Sequence, residues 1–485
     1  MNDKKESEKP LIDLNDSSLS NIHIIGIGGA GMSAIATVLS NMGKKITGSD
    51  LKQSQVTERL ESTGISIHIP HSANCISPEI DLVVRSTAIS DDNEEVLRAK
   101  EMGIEVVARA SMLAAICQHE RSIGIAGSHG KTTTTSMVTA IARTAGMKPS
   151  FMIGGDVNEI GTNAGFNSGS LMIVEADESD RTFLSLPLVG AIVTNVENDH
   201  LESYNNSFEE LKDSFYDFVV GINGPVVVCV DENNAREIAA RASLVREVIT
   251  VGEQDADWTY KIVSTERGGI SAEVFYQGEP RTKIELAVPG AHNIRNAMCA
   301  YALMSAIEID DSTCSKGLSS FGGVARRFQF RGETRGITFV DDYAHLPSEI
   351  SATLAAAKDG KFNKVIAVFQ PHRYSRTQSL YKEFANSLLP CDIIGICEVY
   401  SAGEQSRPGV SGALICEEIK NLGHENVEFL RHIDDVIVFI DKYAGPGDIV
   451  LTLGAGDVTM YSDVIQNALR EISHSHKVPV NSQDK

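Results

Sequence analysis

The residues best placed to do chemistry are Gly127-Ser128-His129-Gly130-Lys131-Thr132-Thr133, which follow the apolar run SIGIA. A glycine-rich turn between a strand and a helix offers backbone N–H groups that cradle phosphates. A lysine in it reaches the β- and γ-phosphates, and a following Thr hydroxyl can ligate Mg²⁺. A strict phosphate-loop pattern needs glycine at 125, where Ile125 stands, so the match is to a shorter loop. An ATP site with Mg²⁺ is the expectation. Two further segments end buried runs nearby: Glu175 in IVEADES, and Asn198, Asp199 and His200 in TNVENDHLE. Taken alone, Glu175 reads as a solvated loop carboxylate and His200 as a satisfied core or capping histidine. Beside a phosphate loop they read as metal ligands with Thr132, where oxygen donors suit Mg²⁺.

An earlier loop, Gly26-Ile27-Gly28-Gly29-Ala30-Gly31, also follows a strand and opens a helix. Its spacing assigns Gly26 to a tight turn, Gly28 to close backbone approach and Gly31 to helix packing. Asp50 ends the next strand, where such folds meet a ribose. The pattern says nucleotide diphosphate and does not say NAD; a turn without a ligand stays open. Late in the chain come Asp341-Asp342-Tyr343-Ala344-His345, then Gln370-Pro371-His372-Arg373-Tyr374-Ser375-Arg376, then Gly454-Ala455-Gly456-Asp457. Arginines beside strand ends suit carboxylate or phosphate. Arg326 and Arg327 read either as arms that swing onto a γ-phosphate or as a solvated basic hinge.

These residues must be held by something. The chain has 485 residues, and at about 150 per domain this gives roughly three domains. Short β-branched runs alternate with helical stretches, the pattern of parallel α/β domains. The fold class expected is α/β: an N-terminal Rossmann-like domain over 1–118, a central P-loop ATPase domain over 119–330, and a C-terminal Rossmann-like domain over 331–485. Within the second, 258–288 alternates and carries Gly-containing turns, as antiparallel strands would. Strands are expected at 22–25, 45–47, 81–84 and 104–107, and in GITFVDD, KVIAVFQ, CDIIGICE and GDIVLTLG. The tails 1–19 and 473–485 are expected to lack structure. Lys+Arg number 43 against 65 Asp+Glu, a net charge of −22, which excludes a nucleic-acid wrapper. Eight cysteines form no C-x-x-C pair, as in a reducing compartment. The polar N-terminus is no secretory signal, and no apolar run approaches the roughly 18 residues of a membrane span. A soluble cytoplasmic protein without membrane insertion is expected.

The chain resembles the Mur ligase family. HIIGIGGAGMS, GSHGKTTTT, EADESD, TNVENDHLE, PGAHNIRNA, GGVARRFQFRG, DDYAHLPSEI, FQPHRYSRT and YSAGE carry the resemblance, in the family's order, from residue 23 to 404. It implies UDP-N-acetylmuramate and L-alanine as substrates, ATP and Mg²⁺ as cofactors, and a monomer or weak homodimer. Gly127 to Thr133 would bind ATP, with His292, Asn293 and Asn296 on the adenine side. Thr132, Glu175 and His200 would hold metal, and Arg327 would contact the γ-phosphate. Tyr343, His345, Arg373 and Arg376 would line the amino-acid end. Gly26, Gly28, Gly29, Gly31, Asp50, Ser86 and Thr87 would meet the UDP-sugar. Lys131, Glu175, His200, Arg327 and His345 would be the catalytic set, acting through an acyl phosphate that the amine attacks. Two departures stand out: Leu346 replaces a family histidine, and Arg181 replaces a small residue and could alter sugar-side contacts. A recycling ligase that adds a whole peptide, and a nicotinamide-dependent oxidoreductase, are the alternatives.

Overall fold

The structure is a computed structural model that describes residues 12–157, 162–199, 201–266 and 269–475. Three sheets organise it. The first has five parallel strands in the order Ser66–His68, Lys45–Ser49, Asn21–Ile25, Leu82–Arg85, Glu105–Ala108. The chain therefore reverses direction across the sheet at Asn21–Ile25, and the crevice beside that strand is where such sheets take ligands.

The central sheet has ten strands. Arg121–Ala126 lies between Leu188–Val193 and Leu171–Glu175, parallel to both. Ser150–Val157 and Thr162–Gly165 form one edge, and the other extends through Val226–Cys229 and Ile249–Gly252 to Trp258–Glu266, Gly269–Tyr276 and Glu279–Leu286. The last two are joined by a two-residue turn, Gln277–Gly278, with φ of +50° and +84°. Glycine accepts the second angle at no steric cost. The expected alternating segment is thus an extension of the central sheet.

The third sheet runs Gln329–Thr334, Ile337–Asp342, Ile449–Leu453, Val365–Phe369, Ile393–Cys397, Val427–Leu430, with only the first pair antiparallel. Buried clusters cover it: Leu354, Phe369, Phe384 and Ile415 in one, Phe339, Val436, Phe439 and Ile465 in another.

The molecule packs as two compact units, one of residues 1–261, 273–284 and 295–321, the other of 262–272, 285–294 and 322–485. Inside the first, one apolar cluster runs without a break from Ile22, Ile24 and Val84 of the first sheet to Phe183, Phe215 and Val228 of the central domain. The segment after residue 11 is not loose, contrary to the sequence expectation. Leu14 is buried in that cluster, and Lys44 Nζ donates to the Leu19 carbonyl at 2.6 Å. At the other end the helix Tyr461–Ser475 continues past the expected boundary at 473. Seven of the eight cysteines are buried and all are free thiols. Among the described residues no helix is long and apolar enough to cross a membrane.

Candidate functional site

The first glycine loop sits at the sheet's reversal point. Gly26 adopts φ +76°, and a Cβ there would lie 3.1 Å from Ser86 Cβ, so the loop and the Ser86 turn touch. Thr87 beside it is exposed. Gly29 precedes the helix Ala30–Asn41 without a side-chain cap, which leaves the first-turn N–H groups open. Two side chains press on this loop. Asp50 Oδ2 accepts from the Gly28 N–H at 2.8 Å, clasping the loop from outside. A Cβ on Gly28 would approach that oxygen to 2.8 Å, so Asp50 is what crowds this glycine. Gly31 is crowded by Arg109, whose Nη1 would be 2.9 Å from its Cβ.

The second glycine loop joins the strand Arg121–Ala126 to the helix Lys131–Thr144. Gly127 has φ +132°, and a Cβ on it would fall 2.1 Å from Thr194 Oγ1; Gly130 has φ +79°, and a Cβ on it would fall 2.6 Å from Asn296 Oδ1. The loop's shape is imposed from TNVEN. Asn195 Oδ1 accepts from His129 N–H at 2.8 Å and its Nδ2 donates to His129 O at 3.0 Å, while Thr194 Oγ1 donates to the same carbonyl. Ser128 Oγ accepts from Glu197 N–H at 2.8 Å, and His129 Nε2 lies 3.2 Å from Glu197 Oε2. Thr194 and Asn195 are absent from the sequence-derived set, although TNVEN itself was flagged.

Lys131 Nζ stands 2.9 Å from both Glu178 oxygens and donates to Gly127 O at 2.6 Å. Burial opposes its charge, but Glu178, Asp177 and Glu175 outweigh that and hold the ammonium above the usual lysine range. Burial likewise pushes Glu178 up and Lys131 pulls it down; with both oxygens at bonding distance, the ion pair satisfies both groups. Glu178 was not expected from the sequence. Thr132 Oγ1 donates to Glu175 Oε2 at 3.1 Å, and that oxygen also accepts from Gly154 N–H. Thr132 and Glu175 therefore meet as expected, whereas His200 lies outside the described residues. Among the described residues no group of three or more His, Cys, Asp or Glu is arranged for a metal. Thr133 is buried in the same helix turn. Asn293 Nδ2 donates to Pro289 O at 2.7 Å, and the His292 ring lies against Gly290.

A pocket of about 160 Å³ opens beside the end of the first loop and reaches the carboxylates of Glu175 and Asp177. Gly31, Ala34 and Ile35 of the first helix line one wall, Arg109 another, and Glu175 and Asp177 the third. Arg181, the departure that could alter sugar-side contacts, has its guanidinium 4.8 Å from the Tyr204 ring centroid and donates to Ser214 Oγ.

The second unit gathers its own constellation. Arg326 and Arg327 lie 4.8 and 5.3 Å from the Tyr343 ring centroid, and Arg327 Nη1 is 3.6 Å from Glu349. His345 Nδ1 is 3.0 Å from Tyr343 O and 3.2 Å from Glu349, and burial pulls its pKa down. His372, 5.9 Å from His345, stacks on Tyr400; burial, with His345, Arg376 and Arg373, lowers it to about 4, so it is neutral at pH 7. Arg373 is held at φ +70°, an uncommon angle for a side-chain-bearing residue, by its N–H to Tyr400 O. Leu346 is buried, and the helix Pro347–Asp359 is capped by Glu349 Oε2, which accepts from His345 and Leu346 N–H. A second histidine is not needed there.

Asp342 is buried and accepts from Phe328 and Ala344 N–H, both at 2.8 Å. Burial raises it from 3.8 to about 6, against Arg327 and these hydrogen bonds. A carboxyl raised on folding contributes stability that is complete below its unfolded value and lost as pH climbs through the folded one. The stability of the wild type relative to Asp342→Asn is therefore expected to fall by about 3 kcal/mol between pH 4 and pH 7. Urea denaturation at stepped pH measures this, and a pH-independent difference contradicts it.

Comparison with known proteins fits this geometry. Family models match in chain order: "Mur ligase family, catalytic domain" over 21–121, "Mur ligase middle domain" over 125–304, and "Mur ligase, glutamate ligase domain" over 326–456. UDP-N-acetylmuramate–L-alanine ligase of Geotalea daltonii is 42% identical over 93% of this chain and 99% of its own; that of Desulforamulus reducens is 43% identical over 90% and 95%. Among solved structures, the UDP-N-acetylmuramate-alanine ligase of Thermotoga maritima superposes with a TM-score of 0.80 at 29% identity, covering 94% of this chain and 100% of that one. A murein peptide ligase from Psychrobacter arcticus shares the fold, at 0.66 and 23%, over 93% and 98%. With three sheets and two glycine loops following the order of those models along the chain, the chain belongs to the Mur ligase family.

Proposed function

We propose that this chain joins L-alanine to the carboxylate of UDP-N-acetylmuramate at the expense of ATP, forming ADP and phosphate, in the synthesis of peptidoglycan precursors in the cytoplasm. The observation that carries the reading is the pocket running from Gly31 to Glu175 and Asp177. A sugar nucleotide lying on Gly26 to Gly31 extends its carboxylate through that pocket toward Lys131 and Thr132. Names carried by relatives about 42% identical over almost their whole length support the choice of substrates.

In this reading 1–118 holds the UDP-sugar, 119–330 holds ATP, and 331–485 holds alanine, in a monomer or weak homodimer. The loop from Gly127 to Thr133 holds the triphosphate by its backbone, with Asn296 over Gly130. The facing oxygens of Thr132 and Glu175, 3.1 Å apart, fit Mg²⁺, which when bound offsets the negative charge of the triphosphate. Lys131 exchanges Glu178 for the phosphates and stabilises charge on the transferring phosphoryl group. The sugar's carboxylate takes the γ-phosphoryl group and becomes an acyl phosphate. Arg327 steadies that group. The α-carboxylate of alanine pairs with Arg373 and Arg376 beside Tyr343 and His345, which aims the amine. The amine attacks the acyl carbon, and phosphate leaves from the tetrahedral intermediate. Apolar walls at Ala34, Ile35 and Met152 keep water from the activated carboxyl.

The test is ADP release with UDP-N-acetylmuramate against each single amino acid and against the murein tripeptide. Stimulation by L-alanine is expected; stimulation by the tripeptide and not by alanine overturns the choice of substrate. The sugar site is checked separately. UDP-N-acetylmuramate at 100 times its dissociation constant adds about 2.7 kcal/mol, a visible melting shift, while NAD gives none. Gly28→Val drives a side chain into Asp50 and Thr57 and is expected to erase that shift while leaving the ATP shift intact. Retention of the UDP-sugar shift refutes the loop assignment.

A further inference from the structure

Arg109 is the first residue of the helix Arg109–His119. A cation in the first turn of a helix is set against the positive end of the helix dipole, so local structure alone does not favour it. Its position is nonetheless fixed. Nη2 donates to Asp180 Oδ2 at 2.6 Å, and among the described residues this is its hydrogen-bond acceptor. Asp180 is itself tied down, since its Oδ1 accepts from Thr182 N–H at 3.0 Å. Nη1 packs against Gly31, within 2.9 Å of where a Cβ would stand, so the lack of a side chain there is what admits the guanidinium to the pocket. Arg109 is also a wall of the pocket whose other polar lining is the carboxylates of Glu175 and Asp177.

A structural brace would account for Asp180, because partly exposed ion pairs contribute little and need no pocket. It does not account for a guanidinium that lines a pocket beside the end of a phosphate-binding loop. An arginine with one edge locked by a carboxylate presents its remaining donors in a fixed plane, the arrangement suited to phosphate or carboxylate oxygens.

We propose that Arg109 is a substrate-binding residue: its free edge takes an anionic oxygen of the sugar nucleotide, and Asp180 is the positioning residue that aims it. The proposal rests on the sugar-nucleotide reading of this pocket. Among the described residues of the pocket's lining, Arg109 thereby supplies the one positive side chain, between the loop that holds the diphosphate and the carboxylates beside Lys131.

The experiment measures binding of UDP-N-acetylmuramate and of UDP-N-acetylglucosamine, which has the diphosphate and no carboxylate, to the full chain, its Arg109→Gln and Asp180→Asn variants. Loss of a hydrogen bond to a charged group predicts about 10- to 100-fold weaker binding for Arg109→Gln, with the ATP-dependent melting shift unchanged. Parallel loss for both nucleotides identifies the diphosphate as the partner; loss for UDP-N-acetylmuramate alone identifies the carboxylate. Either supports the proposal. Asp180→Asn keeps the cation and should raise KM for the sugar nucleotide by less, with kcat retained. Should Arg109→Gln fail to fold, Arg109→Lys, which keeps charge and loses the planar edge, carries the same comparison. Wild-type affinity in a folded Arg109 variant, or an equal loss in Asp180→Asn, makes the pair a brace and overturns the proposal alone. No binding of either nucleotide by the wild type overturns the parent reading and the proposal with it.

Discussion

Lys131→Ala is expected to lose ligation by about 10²-fold or more and, unlike a simple surface truncation, to melt earlier than the wild type. The activity loss follows from removing the cation that meets the transferring phosphoryl group. The stability loss follows from what the lysine touches in the resting protein. Glu178 is 2% exposed and has Lys131 Nζ at 2.9 Å from both oxygens; without the ammonium it becomes a buried carboxylate with no counter-charge. Breaking such a pair from one side costs about 3 kcal/mol. Lys131→Ala combined with Glu178→Gln separates the two effects: melting temperature should recover and activity should not. Measurement is by thermal denaturation beside ADP release. Near-wild-type turnover in a folded single variant sinks the ATP-site assignment, and a double variant no more stable than the single one sinks the account of Glu178.

Gly127→Ala is expected to be comparably severe. At φ +132° any side chain is strained, and the added methyl would lie 2.1 Å from Thr194 Oγ1 and 3.0 Å from the Asn195 carbonyl. Thr194 cannot yield cheaply, because its hydroxyl holds His129 O and Ala126 O. The loop must open, and the backbone N–H groups lose their common focus. ATP should no longer raise the melting temperature, while UDP-N-acetylmuramate still does. An ATP shift of wild-type size in Gly127→Ala contradicts the loop's role. Relieving the contact with Thr194→Ala in the same chain should restore little, since the backbone angle remains unfavourable.

Much of this site was legible in sequence because glycine loops leave a local signature. Gly26, Gly127 and Gly130 do sit at positive φ, and Thr132 meets Glu175, 43 residues further along the chain. What stayed hidden are groups whose meaning lies in a distant partner. Arg109 opens an ordinary helix, and only Asp180, 71 residues on, gives it significance. Asn195 was inside a flagged segment, yet its clasp on the His129 backbone has no sequence pattern. Glu178 reads as one acid among several until Lys131 is seen against it. At the level of the fold, most buried runs were found, whereas the strands Ser150–Val157, Gln329–Thr334 and Val427–Leu430 were not. The last two are edge strands with partly exposed residues, so neither carries an unbroken apolar run, and in the first the apolar run is cut short by Gly154 and Gly155. The docking of Leu14 was missed for a similar reason: Leu11, Ile12 and Leu14 make too short an apolar stretch to give a periodicity.

The unbroken apolar cluster from Ile22 to Val228 bears on how the chain can be cut. The boundary expected from the sequence invites expression of 1–118 alone as a sugar-nucleotide module. The helix Ala30–Asn41, however, packs on the strands Ser150–Val157 and Thr162–Gly165, and Met112, Leu113 and Ile116 are buried in the shared cluster. A fragment ending at 118 would carry that face bare into solvent, an exposed patch of the kind that drives aggregation. Cooperativity follows the same line: the first sheet and the strands around Arg121–Ala126 should unfold in a single calorimetric transition, with no earlier step that releases the N-terminal sheet.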